Sequence, residues 1–194
     1  AQVHAILTNA QGGQPAAEKD DNLRLPLHWA CAKGSSLEVV QLLLEAFEEG
    51  SQAQAVNGRL PLHVAVARNT SPDIVRELLR AFPGSTAVAD HSARLPLHVA
   101  VKSRASLEVV EALLEGAGAA GASVPIERGR TAVHIAASCQ AEAGVVQLLL
   151  RAHPPGAHSP DEDGRLPLHL AVACGAAPDV VTALLEAYPE AAAC

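Results

Sequence analysis

Two phenylalanines, one tryptophan, one tyrosine and no methionine serve a chain of 194 residues, so aromatics make up 2% of it while hydrophobic residues reach 49%. Large rings and flexible thioethers are the usual fillers of core gaps. Without them the apolar share rests on alanine, leucine and valine, and the elements that carry it have to pack closely. A basic surplus is missing too. The net charge is −7 and the isoelectric point is near 5.7, which argues against a general nucleic-acid binder. Cysteine is scarce. Cys31, Cys139, Cys174 and Cys194 form no Cys-x-x-Cys pair and no dense framework, so neither a zinc ribbon nor a disulfide scaffold is expected. An intracellular, reducing compartment, the cytoplasm or an organelle interior, is. No apolar run is long enough to span a bilayer, and no charged start leads into a signal-like stretch, so direct membrane insertion is not expected. Nor is there a Gly-rich phosphate loop, a Ser-His-Asp arrangement or a paired-carboxylate site. Catalysis, a cofactor and a small-molecule substrate are therefore not expected. A chain that begins at Ala1 and contains no methionine reads as an internal fragment or a processed protein.

What is present is a period. Leu-Pro-Leu-His recurs at Leu25 to His28, Leu60 to His63, Leu95 to His98 and Leu166 to His169, with a degenerate copy, Thr131-Ala132-Val133-His134. The histidines stand 35, 35, 36 and 35 residues apart. After each comes an alanine two residues on (Ala30, Ala65, Ala100, Ala136, Ala171), then an apolar pair and a leucine pair, as in Val39-Val40 with Leu43-Leu44. Pro26, Pro61, Pro96 and Pro167 suit the first position of a helix. That helix is expected to run about eight to ten residues, for example Pro61 to Arg68, before a polar or glycine-containing turn. A second helix starts at Ser36, Ser71 and Ser106, where serine can cap and the acid that follows favours the dipole. Proline or glycine is expected to stop it, as at Pro83, Pro154, Pro189 and Gly116.

Two antiparallel helices and a projecting hairpin-like connector, repeated in this way, resemble the ankyrin repeat, whose best-known form reads Gly-x-Thr-Pro-Leu-His-x-Ala. The resemblance covers nearly the whole chain and implies an all-α solenoid. Its repeats are residues 22–56, 57–91, 92–127, 128–162 and 163–194, numbered 1 to 5 below. Residues 1–21 read as the second helix and connector of a preceding unit, with Val3, Ile6 and Leu7 on its stripe. The family's threonine is replaced by Leu25, Leu60, Leu95 and Leu166, which removes a hydroxyl that would bond the histidine. The period also exceeds the family's, which is about 33. The apolar end, Val180 to Cys194, lacks the polar outer face of a capping repeat, so a longer array or a covering protein is expected.

Histidine invites a metal-binding or catalytic reading. Equivalent places in neighbouring repeats lie roughly 10 Å apart, one helix spacing, whereas zinc ligands converge within about 2 Å. His28, His63, His98, His134 and His169 are therefore expected to be structural, bonding backbone at the turn, with no metal. Cys139 and Cys174, matched on adjacent repeats, are expected to be half-buried thiols too far apart to bridge. His153 and His158 flank a solvated loop, and Trp29, in the place of Val64, Val99, Ile135 and Leu170, is expected to fill core.

Arg24, Arg59, Arg94, Arg130 and Arg165 each lie four residues before a histidine. By the resemblance this place borders the concave groove. The alternative is pairing with connector acids, Asp21, Asp90, Glu127, Glu162 or Asp163. The other groove places, four and five residues after the histidine, include Lys33, Arg68 and Lys102 and no acid. The resemblance implies a non-catalytic protein-interaction scaffold whose groove takes a protein partner with an acidic segment. Two alternatives remain at this point. The chain could be a permanent structural subunit of a larger, organellar or membrane-associated assembly, or a regulatory array attached to an enzyme or channel outside these residues.

Overall fold

The computed structural model of the protein describes residues 15–188, and of residues 117–120 only the backbone. Val3, Ile6, Leu7, Pro189 and the apolar end from Ala191 to Cys194 lie outside the described residues. Ten α-helices are found among the described residues, in pairs. The first helices are α1 (Pro26–Lys33), α3 (Pro61–Ala67), α5 (Pro96–Lys102), α7 (Ala132–Ser138) and α9 (Pro167–Ala173). Their partners are α2 (Leu37–Ala46), α4 (Pro72–Ala81), α6 (Leu107–Ser123), α8 (Ala143–Ala152) and α10 (Pro178–Ala187). The odd-numbered helices touch one another in chain order and the even-numbered ones do the same, so the chain stacks in two layers.

α1 runs eight residues, as expected, and the other four first helices run seven, all of them ending where the chain turns left-handed six residues after the histidine. φ is 67° at Gly34, 52° at Asn69, 55° at Arg104, 58° at Gln140 and 66° at Gly175. That conformation strains a residue with a Cβ, and here tertiary bonds offset the cost. Asn69 Nδ2 donates to the carbonyl of Ser103 at 3.0 Å, Arg104 Nε to Cys139 at 2.8 Å and Gln140 Nε2 to Cys174 at 3.1 Å. These three turns are thereby tied to the next repeat.

The core lies between the layers. Val40, Val75, Val110, Val146 and Val180 are fully buried, and Ala65, Ala100, Ala136 and Ala171 are as well. With no side chain beyond Cβ, these alanines let neighbouring first helices approach, which is how a chain poor in rings builds a core. Ser36 and Ser71 cap the second helices by accepting from Val39 and Ile74 at 3.4 and 3.5 Å, whereas Ser106 makes no such bond.

The second helices end ahead of Phe47, Phe82, His153 and Tyr188, and after the first three the backbone winds into a 3₁₀ turn: Glu48–Gln52, Pro83–Ala87 and Pro154–Ala157. The third repeat departs from this. Gly116 does not stop its second helix, and α6 continues through it to Ser123. An interior glycine costs about 1 kcal/mol in a helix, which the alanines around it are able to carry. No proline intervenes before Pro125, which holds Val124 extended (φ −66°, ψ 122°) and ends the helix there.

The connectors are tight hairpin-like loops. The N–H of Asp20, Ala55, Asp90, Ile126 and Asp161 donates to the carbonyl of the arginine four residues on, at 2.8 to 3.0 Å. Successive connectors are also joined, by Val56 N–H to Asn22, His91 N–H to Asn57 and Glu162 N–H to Arg128. Gly58 sits at one such crossing with φ at 74°, where a Cβ would meet His91 Cδ2 at 2.5 Å.

Candidate functional site

The histidines hold the joints between repeats. In each, Nδ1 accepts from the N–H of the residue before the proline position: Leu25 at 3.2 Å, Leu60 at 3.2 Å, Leu95 at 3.1 Å, Thr131 at 3.3 Å and Leu166 at 3.0 Å. The leucine side chain supplies no hydroxyl, so the ring caps the helix through the backbone alone. Only in the Thr131 copy does a hydroxyl also reach the ring, at 3.0 Å. With Nδ1 accepting, Nε2 carries the proton and donates to a carbonyl of the following repeat. His28 donates to Arg59, His63 to Arg94 and His134 to Arg165, at 3.1, 3.1 and 3.2 Å. His98 instead reaches Val124 at 3.0 Å, two residues before Ile126. Burial, set against these carbonyl bonds, lowers the pKa of His28, His63, His98 and His134, that of His63 to about 4. His169 is exposed and has only the Nδ1 bond among the described residues.

The five arginines rest on connector carboxylates. Asp20, Asp90 and Asp161 stand eight residues before a histidine, and in each Oδ1 accepts the N–H groups two and four residues on. Oδ2 takes guanidinium N–H groups. Arg24 binds Asp20 at 2.8 Å; Arg94 binds Asp90 at 2.9 Å, with Arg59 of the preceding repeat at 3.4 Å; Arg165 binds Asp161 at 3.1 Å, with Arg130 at 3.4 Å. Arg165 also contacts Asp163. Burial would raise the Asp161 carboxyl, but the N–H groups and guanidinium of Arg165 and the N–H of Asp163 bring it down to about 2. Of the acids expected from sequence, Asp90 and Asp163 take an arginine of the row. Asp21, Glu127 and Glu162 take none among the described residues, and Asp20 and Asp161 do instead. The signal that marks them is an Asp-x-x-x-Arg spacing in three of the five connectors.

Lys33, Arg68 and Lys102 are exposed on the first-helix side and have no ion pair among the described residues. Trp29 does not fill core. It is 39% exposed, and its ring lies between connector groups and Lys33 of its own helix, whose Nζ is 5.8 Å from the ring centroid. The Arg24 guanidinium stacks 4.1 Å from the ring centroid and Nε1–H donates to Asp20 at 3.1 Å. Cys139 is half-buried and Cys174 exposed, both free thiols, as is the buried Cys31, which burial pushes up to about 12. His158 packs its ring on Tyr188 at 5.4 Å. No three of His, Cys, Asp and Glu converge on one point among the described residues, and no helix there is long and apolar enough to cross a membrane.

Charge is sorted by layer. None of the five first helices contains an acid, while the second helices carry Glu38, Glu45, Asp73, Glu77, Glu108, Glu111, Glu115, Asp179 and Glu186 against three cations, Arg76, Arg80 and Arg151. The corner where connectors meet first helices forms a groove lined by Arg24, Arg59, Arg68 and Trp29 at one end and by Arg94, Lys102, Arg130 and one acid, Glu127, further along. Fixed positive groups on a firmly bonded backbone suit non-covalent recognition of an anion.

Compared with protein families, the chain matches the family of ankyrin repeats (3 copies) over residues 3–88, 27–124 and 97–193. No curated protein matches it.

Proposed function

Because the chain belongs to the ankyrin-repeat family, whose repeats generally mediate protein–protein interactions, we propose that it is a non-catalytic scaffold binding an acidic segment of a protein partner in its groove. The sorting of charge carries this reading: an acidic body presents one acid-free row of first helices, with Lys33, Arg68 and Lys102 unpaired along it among the described residues. Such a field attracts a negative segment and turns away positive ones. A backbone bonded from repeat to repeat limits the entropy lost on association. The free thiols of Cys31, Cys139 and Cys174 support a reducing compartment as its place of work.

The test is binding of a fluorescently labelled oligoglutamate, followed by anisotropy at low and high salt. Replacing Lys33, Arg68 and Lys102 together by Gln should weaken binding several-fold at low salt, do little at high salt and leave the melting midpoint unchanged. Unaltered binding by the triple variant, or none by the wild-type protein, overturns the reading.

A further inference from the structure

Resting on that reading of the groove, we propose that alternation of the connector aspartate opens two equivalent clefts in it, between repeats 1 and 2 and between repeats 3 and 4. Each accepts an apolar side chain and the carboxylate beside it from a single acidic segment of the partner.

Eight residues before the histidine stand Asp20, Ala55, Asp90, Ile126 and Asp161 in turn. Where repeats 2 and 3 meet, Asp90 closes the corner by binding its own Arg94 and the preceding Arg59, and Asp161 does the same between repeats 4 and 5. Where repeats 1 and 2 meet, the residue is Ala55, and where 3 and 4 meet it is Ile126. Neither brings a carboxylate. At these two joints the corner is open, as clefts of ≈ 370 and ≈ 270 Å³. Their walls correspond position by position: Arg24 with Arg94, His28 with His98, Arg59 with Arg130, Val64 with Ile135.

The openings are chemically alike as well. Arg59 and Arg130 lean away to the next connector and donate to it through Nε alone; their Nη nitrogens make no hydrogen bond among the described residues. Each cleft therefore has an apolar floor and is walled by an arginine whose Nη nitrogens are unused among the described residues, beside a place where the other joints hold an aspartate. An incoming carboxylate takes that place, and the side chain next to it meets Val64 or Ile135. In the first cleft Trp29 and the 54% exposed Val56 enlarge the apolar wall. In the second, Glu127 and Arg128 lie together at the rim. Two repeats separate the clefts, about 20 Å at one helix spacing per repeat, which an extended strand covers in about six residues.

The probe is a synthetic glutamate peptide with two leucines six residues apart, beside peptides with one leucine and with none. Trp29 is the chain's single tryptophan, so its emission reports the first cleft directly. The two-leucine peptide should shift that emission and bind about tenfold tighter than the one-leucine peptide. Ala55→Asp restores the missing carboxylate on a connector whose backbone bond matches those of Asp90 and Asp161. It should keep or raise the melting midpoint, abolish the emission shift and reduce the two-leucine peptide to one-leucine affinity. Ile126→Asp should cost the same affinity and keep the shift. Trp29→Ala, at an exposed position, gives a second measure: the two-leucine peptide weakens several-fold and the leucine-free peptide does not. Equal affinity of the leucine-free and two-leucine peptides overturns the clefts, as does wild-type binding by Ala55→Asp/Ile126→Asp. In either case a response of oligoglutamate to the Lys33, Arg68 and Lys102 changes leaves the groove itself standing.

Discussion

The Nε2–H of His63 donates to the carbonyl of Arg94, 31 residues ahead, at 3.1 Å while Nδ1 accepts from Leu60. Both bonds need the neutral ring. Protonation puts a second N–H against the Leu60 N–H, so acid works against the joint. Because the folded pKa is lowered, stability from this histidine is complete above the unfolded value of 6.5 and is lost as pH falls toward about 4. His28, His98 and His134 shift in the same direction. At about 1.4 kcal/mol per unit, His63 alone weakens the fold by on the order of 3 kcal/mol at the acid end of that window. Urea midpoints across it should fall steadily, and His63→Gln should flatten the fall; a flat wild-type profile would contradict this role.

Asp90 joins two repeats, whereas Asp20 takes one arginine, its own, and the Trp29 Nε1–H among the described residues. The Asp90 side chain is 1% exposed and the Asp20 side chain 30%. Asp90→Asn should therefore destabilise by about 3 kcal/mol, since it leaves Arg59 and Arg94 without their anion, and Asp20→Asn by less than about 1 kcal/mol. Chemical denaturation of the two variants measures the difference, and equal losses would show that bridging adds nothing.

Ala100 is fully buried in α5, in the middle of the first-helix layer. Ala100→Leu should cost roughly 1–3 kcal/mol by forcing α5 away from its neighbours, seen as a lower or split thermal transition. An unchanged midpoint would mean that the layer has room to spare there.

At Gly58 a side chain meets two obstacles at once, a φ of 74° and the ring of His91 at 2.5 Å. Gly58→Ala should cost about 1–2 kcal/mol or more. The reverse change, Ala93→Gly at φ 57°, removes strain and should be neutral or mildly stabilising. Melting both variants tests whether handedness, not packing alone, shapes the connectors.

The spacing of the histidines made the period legible, the prolines the helix starts, and the apolar pairs the two layers. These are local signals repeated five times, and stacking reinforces them. The partners of the arginines were less so. Which acid reaches a guanidinium depends on how the connector backbone turns: Asp20 and Asp161 bond the N–H groups two and four residues on and so aim Oδ2 at the arginine, while Asp21 and Glu162, one residue later, do not. Gly116 does not stop α6, because a glycine ends a helix only where the chain has somewhere else to go, and the helix continues to Ser123. Trp29 shares its row with Val64, Val99, Ile135 and Leu170 but differs from them in size, and its place does not follow theirs.

The aspartate alternation also gives the array a parity. Removing one repeat would set two aspartate-bearing connectors side by side, or two without, and so leave an arginine with no carboxylate ahead of it or a carboxylate with one arginine fewer. Removing or inserting two keeps every neighbour matched. The unit that can be copied without disturbing its surroundings is thus the pair, and lengthening in even steps conserves both the closed joints and the open ones.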